Sequence, residues 1–234
     1  MAARDAQLIA DFAKQVKELA HRFAAEQLAP ERRDAGAASR TAERLAAIFE
    51  MAVGRVDELI PPQQPLACCS GCSWCCCLVL LVEAPFVLWL ADTLRARADP
   101  ASLAALGHNM TLEGGACPLL ADDGRCQTYD TRPLVCRAHS SIDADACARQ
   151  FADEDVIIES RGGQSAIWHA MAVGLAEAMN AAGLGRDTAL HFRRAMVVAL
   201  AMPDASARWA AGEDIFAVAR SPECDQGFRT LHGN

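Results

Sequence analysis

The sequence has few basic residues for its length, and they form no dense basic run. Its 234 residues include 22 Lys and Arg against 30 Asp and Glu, which gives a formal net charge of -8. A protein that binds nucleic acid needs a basic patch that contacts the phosphate backbone. Because Arg32 and Arg33 form only a short pair, the sequence argues against nucleic acid as the main partner.

The sequence also lacks a membrane span and a secretory signal of the usual kind. Its best candidate span, residues 75–91, is too short to cross a bilayer, and Glu83 and Pro85 interrupt it. The N-terminal stretch "MAARDAQLIADFAKQ" carries two Asp residues and no apolar core of the kind that a signal peptide needs. We therefore expect a cytoplasmic protein with no membrane partner.

Hydrophobic residues make up 52% of the chain, which predicts a folded protein rather than a disordered one. Apolar residues recur every three or four positions in residues 8–23 and 45–59, and Pro30 and Pro61 end the two runs. The first run consists of Leu8, Phe12, Val16, Leu19 and Phe23. This pattern predicts a helical hairpin that either packs on the rest of the chain or pairs with a second copy as a homodimer.

Further helices are predicted downstream. Pro85 suits a first helical turn, so the apolar run after the cysteine cluster should begin a helix that covers about residues 84–97. Apolar spacing predicts another helix over residues 167–179. Asp187 is placed to cap the next helix, and a short helix is expected at about residues 209–218.

The predicted fold is mainly α-helical, with a central, loop-rich cysteine core. Three domains follow from the composition. Residues 1–62 form the N-terminal helical hairpin, residues 63–151 the cysteine-cluster domain, and residues 152–234 a set of C-terminal helices that pack on the core. The two helical parts are expected to clamp the cysteine core between them.

Cysteine is abundant in the chain, and ten of the eleven cysteines lie in the middle zone. The first six are crowded together: Cys68, Cys69, Cys72, Cys75, Cys76 and Cys77. Four more follow, with eight to ten residues between neighbours: Cys117, Cys126, Cys136 and Cys147. This even spacing allows short loops to return each of the later thiols to a common point.

A dense cysteine cluster in a reducing compartment more often binds metal or does redox chemistry than forms disulfides. Thiolates are soft ligands that prefer zinc, copper(I) or iron–sulfur clusters. The spacings Cys69-x-x-Cys72 and Cys68-x3-Cys72 both suit neighbouring ligands of one metal ion. The first ligand is therefore either Cys68 or Cys69.

Four upstream and four downstream thiolates would suffice for two four-thiolate sites or for one larger cluster. Cys75 and Cys76 would point apart in extended backbone, so they either serve two centres or one of them binds while the other packs. His139 follows Cys136 by three residues and is a possible further ligand. Three arginines either offset the negative charge of the thiolates or are ordinary surface charges: Arg125, Arg132 and Arg137.

The stretches "GCSWCC" and "CPLLADDGRCQTYDTRPLVCR" resemble the CxxCxxCC cysteine-cluster family, also called YkgJ-like. The resemblance covers roughly residues 65–151. Its matching positions are Cys72, Cys75, Cys76, Cys117-Pro118, Cys126, Tyr129, Arg132-Pro133 and Cys136-Arg137. Cys147 resembles a later cysteine of the family, whereas Cys77 and Cys224 have no counterpart. We expect Cys77 to be a small buried residue and Cys224 to be an ordinary thiol of the tail.

The resemblance implies a zinc- or iron-chelating domain that holds its metal through about eight cysteines and has a structural, storage or sensing role. The candidate ligands are Cys68, Cys69, Cys72, Cys75, Cys76, Cys117, Cys126, Cys136 and Cys147. The alternative is an iron–sulfur redox protein or enzyme, because flagellin lysine-N-methylases carry a related cysteine cluster. Since no further domain is recognised, a metal-binding protein is expected rather than an oxidoreductase or a methylase-like enzyme.

Overall fold

The computed structural model describes residues 3–112, 115–152, 156–161 and 163–220. These residues form nine α-helices and one two-stranded antiparallel sheet. The helices are α1 (Ala3–Leu28), α2 (Ala37–Leu59), α3 (Ala84–Arg97), α4 (Pro100–Thr111), α5 (Leu134–Ala138), α6 (Ala144–Ala152), α7 (Gln164–Ala181), α8 (Phe192–Ala201) and α9 (Ala205–Ala210). The strands are β1 (Leu81–Val82) and β2 (Leu190–His191). The prediction of a mainly helical fold with a cysteine-rich centre is confirmed.

The longest helix contact joins α1 to α7 along much of their length. Small residues make this contact close, because Ala20 and Ala24 of α1 are fully buried. On the α7 side, a Cβ atom added at Gly174 would lie 2.4 Å from the backbone oxygen of Lys17. The two backbones therefore meet directly at this glycine.

The apolar face predicted for α1 is partly wrong. Val16 is buried as expected, but Leu8 and Leu19 are 41% and 37% exposed. The buried positions next to Val16 are instead Ile9 and Ala20. The reason is that close packing on α7 selects small side chains for the centre of the contact, so larger leucines lie outside it.

Helix α3 crosses the core, and Phe86, Leu88 and Leu90 are fully buried. It packs on α2 and α8. Its bounds agree with the predicted helix, and Pro85 occupies its first turn. The helix predicted from residue 167 is also present, as α7. Among the described residues, no helix is both long enough and apolar enough to cross a membrane.

The middle zone contains three helices that the sequence pattern did not predict: α4, α5 and α6. Helix α4 has a clear start signal, because the Asp99 side chain accepts hydrogen bonds from the N–H groups of Ala101 and Ser102. Pro100 follows at the first helical position. The prediction missed this helix because its apolar residues show little amphipathic periodicity.

Asp187 does not cap α8, which begins five residues later at Phe192. The Asp187 side chain is buried and accepts hydrogen bonds from Trp209 Nε1 at 3.0 Å and from Arg220 Nη1 at 2.7 Å. A buried carboxylate needs such hydrogen-bond donors. Asp187 therefore does not cap a helix but links Arg220, at the end of the described chain, to the core.

The single helix predicted over residues 209–218 is also absent. Helix α9 ends at Ala210, and up to residue 220, where the described part of the chain ends, only a 3₁₀ turn at Ala217–Ala219 follows. Gly212 has a φ of +87°, which breaks the helical path between the two pieces.

Candidate metal centre

Two glycines bring the first cysteine loop against the loop that carries Cys126. Gly71 has a φ of +90°, in the left-handed region. A Cβ atom added at Gly124 would lie 2.7 Å from the backbone oxygen of Gly71. Because the two backbones approach this closely, Cys72 and Cys126 line the same space although their loops are far apart in sequence.

The apolar run after the first cysteines does not begin a helix as predicted. Leu78 and Val79 are exposed, and Leu81–Val82 forms β1, which pairs with β2. The N–H of Phe192 donates to the backbone oxygen of Leu80 at 3.0 Å next to this sheet. A two-residue sheet therefore fixes the cysteine loop before α3 starts at Ala84.

Backbone hydrogen bonds join the early and late cysteine segments. The N–H of Cys117 donates to the backbone oxygen of Cys76 at 2.8 Å. The N–H of Ser141 donates to Cys68 Sγ at 3.3 Å, and the N–H of Ala67 donates to the backbone oxygen of Ser141 at 2.9 Å. No sequence pattern indicates this role of Ser141, because the contact exists only once the chain has folded back.

The candidate ligands line two adjoining cavities. The first has a volume of about 470 Å³ and is lined by Cys68, Cys69, Cys72, Cys75, Cys76, Cys117, Cys126 and Cys136. The second has a volume of about 510 Å³ and is lined by Cys68, Cys72, Cys75 and Cys147. The structure therefore brings all nine candidate cysteines to the walls of these two cavities.

The thiols fall into two groups of neighbours. The pKa of Cys68 is raised, chiefly by burial and further by the nearby thiols of Cys72, Cys75 and Cys147. These four cysteines, which are also the thiols of the second cavity, form what we call the first thiol group.

Four of the five remaining candidates form the second thiol group: Cys76, Cys117, Cys126 and Cys136. Burial, together with the negative charge of Cys117, raises the pKa of Cys136 to about 12. Burial also raises the pKa of Cys117, with a smaller contribution from Cys126. A bound cation would reverse this effect, because it stabilises the thiolate.

Cys75 and Cys76 lie where the two groups meet. They belong to a 3₁₀ turn, Trp74–Cys77, and their sulfurs share a hydrogen bond. This bond lowers the pKa of Cys75 and raises that of Cys76, since one proton serves both sulfurs. The expectation that the two side chains point apart, as in extended backbone, is wrong because the backbone is tightly turned here.

Two cysteines of the first cluster lie outside both groups. Cys69 lines the first cavity and is exposed, as Cys68 is, but it is not among the thiols that raise the pKa of Cys68. Its backbone oxygen accepts the N–H of Cys72 at 3.0 Å. Cys77 is half-buried rather than buried, and lines a third cavity of about 530 Å³ behind Cys76 and Cys117. Cys224 lies outside the described residues.

Two of the three candidate arginines are engaged by carboxylates. Arg137 binds Glu50 at 2.7 Å and does not line either thiol cavity. Arg125 lines the first cavity, but it pairs with Asp123 at 3.4 Å. Their charge is therefore already balanced, wholly or in part, by acidic neighbours.

Arg132 differs from the other two arginines. It lines the first cavity, its guanidinium lies 3.5 Å from the centre of the Tyr129 ring, and its Nε donates to the Tyr129 backbone oxygen at 3.0 Å. No carboxylate among the described residues pairs with it. Its charge lowers the pKa of both Cys75 and Cys136, so it favours thiolates in this cavity.

His139 lines both thiol cavities. It follows the last residue of α5, and its N–H donates to the backbone oxygen of Val135 at 3.2 Å. The surrounding protein desolvates the ring and lowers its pKa. The imidazole is therefore neutral near pH 7, which is the form that can bind a metal ion.

The donor set suits a soft metal, although the side chains are not arranged around an ion. Among the described residues, no three Cys, His, Asp or Glu side chains stand close enough together to hold one. Sulfur donors predominate in the two cavities, which suits structural zinc sites and iron–sulfur centres. The loops that carry the cysteines are already in contact. Binding of an ion would therefore require the side chains, rather than the loops, to move from the cavity walls toward it.

Comparison with known families assigns this region. Residues 68–157 match the CxxCxxCC family. The family is described as a "Putative zinc- or iron-chelating domain", and the predicted resemblance is confirmed. The CxxCxxCC domain begins at Cys68 and includes all nine candidate ligands. No curated protein and no solved structure matches the chain.

Proposed function

We propose that the chain is a metal-binding protein that chelates zinc or iron through the eight cysteines of the two thiol groups. The observation that carries this proposal is the convergence of distant cysteines on two adjoining cavities. Neighbouring thiols oppose one another's ionisation, and a bound cation is what would let several of them act as thiolate ligands at once.

The proposal includes two metal centres, one for each thiol group. Four thiolates complete the tetrahedral coordination of one zinc ion. Cys75 and Cys76, at the junction, would contribute one sulfur to each centre. Each four-thiolate zinc centre carries a net charge of about minus two, and Arg132 supplies a cation in the first cavity to offset part of it.

The role that fits best is partly structural. The 3₁₀ turn at Trp74–Cys77 contains no buried residue, so hydrophobic burial contributes little to holding it. Metal binding supplies folding free energy in loops of this kind. The cavities also leave the thiols reachable from solvent, which supports exchange of the metal and thus a storage or sensing role.

An iron–sulfur redox protein or enzyme is the second candidate. The observation in its favour is the third cavity, where Cys76 and Cys117 form one wall and mostly apolar residues such as Val197 and Val198 form others. A small molecule in this cavity would lie directly behind two thiols of the second thiol group. We assign no catalytic residue.

A reducing compartment suits this function, because ligand thiols must stay reduced. The ten described cysteines are all free thiols, and we propose that the protein works in the cytoplasm. A homodimer formed through the N-terminal helices stays a prediction, which light scattering on the purified chain would test.

Metal analysis with an absorption spectrum tests the proposed function. The protein would be purified without oxygen and without a metal-affinity tag. Two zinc ions per chain with no visible absorption would support two zinc centres, and one ion would contradict the two-centre arrangement. Iron with acid-labile sulfide and broad visible absorption would favour the second candidate. A folded protein that takes up neither metal would contradict both.

A further inference from the structure

His139 lies at the boundary between the two thiol cavities. It comes three residues after Cys136 and directly follows the last residue of α5. Both side chains line the first cavity. The same imidazole also lines the second cavity, next to Cys68 and Cys147. It therefore faces thiols of both groups.

The imidazole has no other partner that would explain this position. Within the part of the chain that the structure describes, its ring nitrogens take part in no hydrogen bond or ion pair. The side chain is exposed to the cavities and is not packed into the hydrophobic core. The imidazole is therefore available as a nitrogen ligand in cavities whose other candidate ligands are cysteine sulfurs.

A histidine ligand would also ease the crowding at Cys75 and Cys76. Neutral imidazole binds zinc together with thiolates, as in sites with three cysteines and one histidine. With one nitrogen ligand, two four-coordinate centres require seven thiolates instead of eight. Cys75 and Cys76 then do not both have to bind separate ions. The replacement also removes one negative charge from the centre.

We propose that His139 is a nitrogen ligand of one of the two metal ions that the thiol groups hold. This inference rests on the proposed function, since it requires that the cavities hold a metal ion. It departs from the all-cysteine centre, because it assigns a mixed sulfur and nitrogen coordination to one of the two ions.

Cadmium-113 NMR on the full chain tests the coordination directly, because the cadmium shift separates all-sulfur centres from mixed ones. The variants are His139→Asn, which cannot replace the ligand, and His139→Cys, which offers a sulfur. His108→Asn is the matched control, since His108 is exposed on α4 and lines a cavity without cysteine. Circular dichroism checks that each variant is folded.

We expect one mixed-ligand resonance in the wild type. It should be lost in His139→Asn and move to an all-sulfur position in His139→Cys, while His108→Asn should match the wild type. The cadmium affinity of His139→Asn should fall by roughly tenfold or more, since even the groups that merely orient ligands contribute that much.

Three results would separate the possibilities. All-sulfur resonances that are the same in the wild type and in His139→Asn would overturn the role of His139 and leave the thiol centres intact. A loss of affinity with unchanged all-sulfur resonances would place His139 outside the coordination sphere and also overturn its role as a ligand. A wild-type protein that binds no cadmium, zinc or iron would instead overturn the proposed function itself.

Discussion

The sulfur of Cys68 accepts a hydrogen bond from the backbone N–H of Ser141 at 3.3 Å. This contact joins the start of the cysteine cluster to the segment that leads into α6, which carries Cys147. An N–H donor stabilises the negative charge of a thiolate, so the contact favours Cys68 over Cys69 as the first ligand.

The two neighbouring cysteines can therefore be distinguished by substitution. We expect Cys68→Ser to reduce the bound metal by one ion per chain, because the first thiol group loses a ligand. Cys69→Ser is the matched control and should keep the full metal content. Elemental analysis of both variants measures the difference. The reverse result would assign the first ligand to Cys69.

Cys136 should be essential to the second thiol group. Burial raises the pKa of Cys136 to about 12 in the ion-free protein, so only a bound cation makes its thiolate stable. Cys136→Ser should lower metal content and thermal stability together. Cys77→Ser serves as the control, since Cys77 lies outside both groups. A folded Cys136→Ser protein with unchanged metal content would exclude Cys136 as a ligand.

Arg132 should contribute to metal affinity through its charge. Arg132→Gln is expected to weaken zinc binding by up to about tenfold, because solvent screens part of the interaction. Arg132→Lys should restore most of the affinity, and Arg125→Gln should change it little, since Arg125 is paired with Asp123. Competition with a chelating dye measures the affinity. The loss of affinity in Arg132→Gln should become smaller as salt is added, because salt screens the charge. A loss that is the same at all salt concentrations would show that Arg132 acts through packing and not through its charge.

Glu83 should make the stability of the protein depend on pH. Burial raises its pKa from 4.5 to about 7 in the folded chain, so the folded state holds a proton that the unfolded state releases. Stability should therefore fall as pH rises from 4.5 to about 7, by at most about 3 kcal/mol.

Denaturant titrations of the metal-loaded protein between pH 5.5 and 8 measure this dependence. In Glu83→Gln the decline should be smaller than in the wild type, and at pH 8 the variant should be the more stable protein. Glu31→Gln, at an exposed position, should follow the wild type. Parallel curves for the wild type and Glu83→Gln would show that Glu83 does not titrate in this range.

Gly174 should be required for the contact between α1 and α7. Gly174→Ala places a Cβ atom 2.4 Å from the backbone oxygen of Lys17, so the helices must move apart, at a cost of about 1 to 3 kcal/mol. Gly54→Ala in α2 is the control, since nothing lies within 4 Å of its added Cβ. That change should raise stability by up to about 1 kcal/mol. Thermal unfolding compares the two, and equal melting temperatures would contradict the close contact.

Local sequence signals were enough to predict several of the helices. Pro85 marked the start of α3, and the apolar spacing after residue 167 marked α7. Helix α4 could have been found from Asp99 and Pro100. The cysteine motifs identified the CxxCxxCC domain, because the family is defined by the order and spacing of its cysteines, which can be read from the sequence.

Which distant residues come together depends on how the whole chain packs and could not be predicted from local patterns. The grouping of Cys68 with Cys147, the position of Cys77 in the third cavity, and the position of His139 at both thiol cavities all depend on contacts between distant loops. The same holds for Asp187, which looked like a helix cap and instead binds Trp209 and Arg220. Local patterns report the conformation of a few neighbouring residues, whereas the partner of a buried charge or of a thiol is chosen by how the whole chain packs.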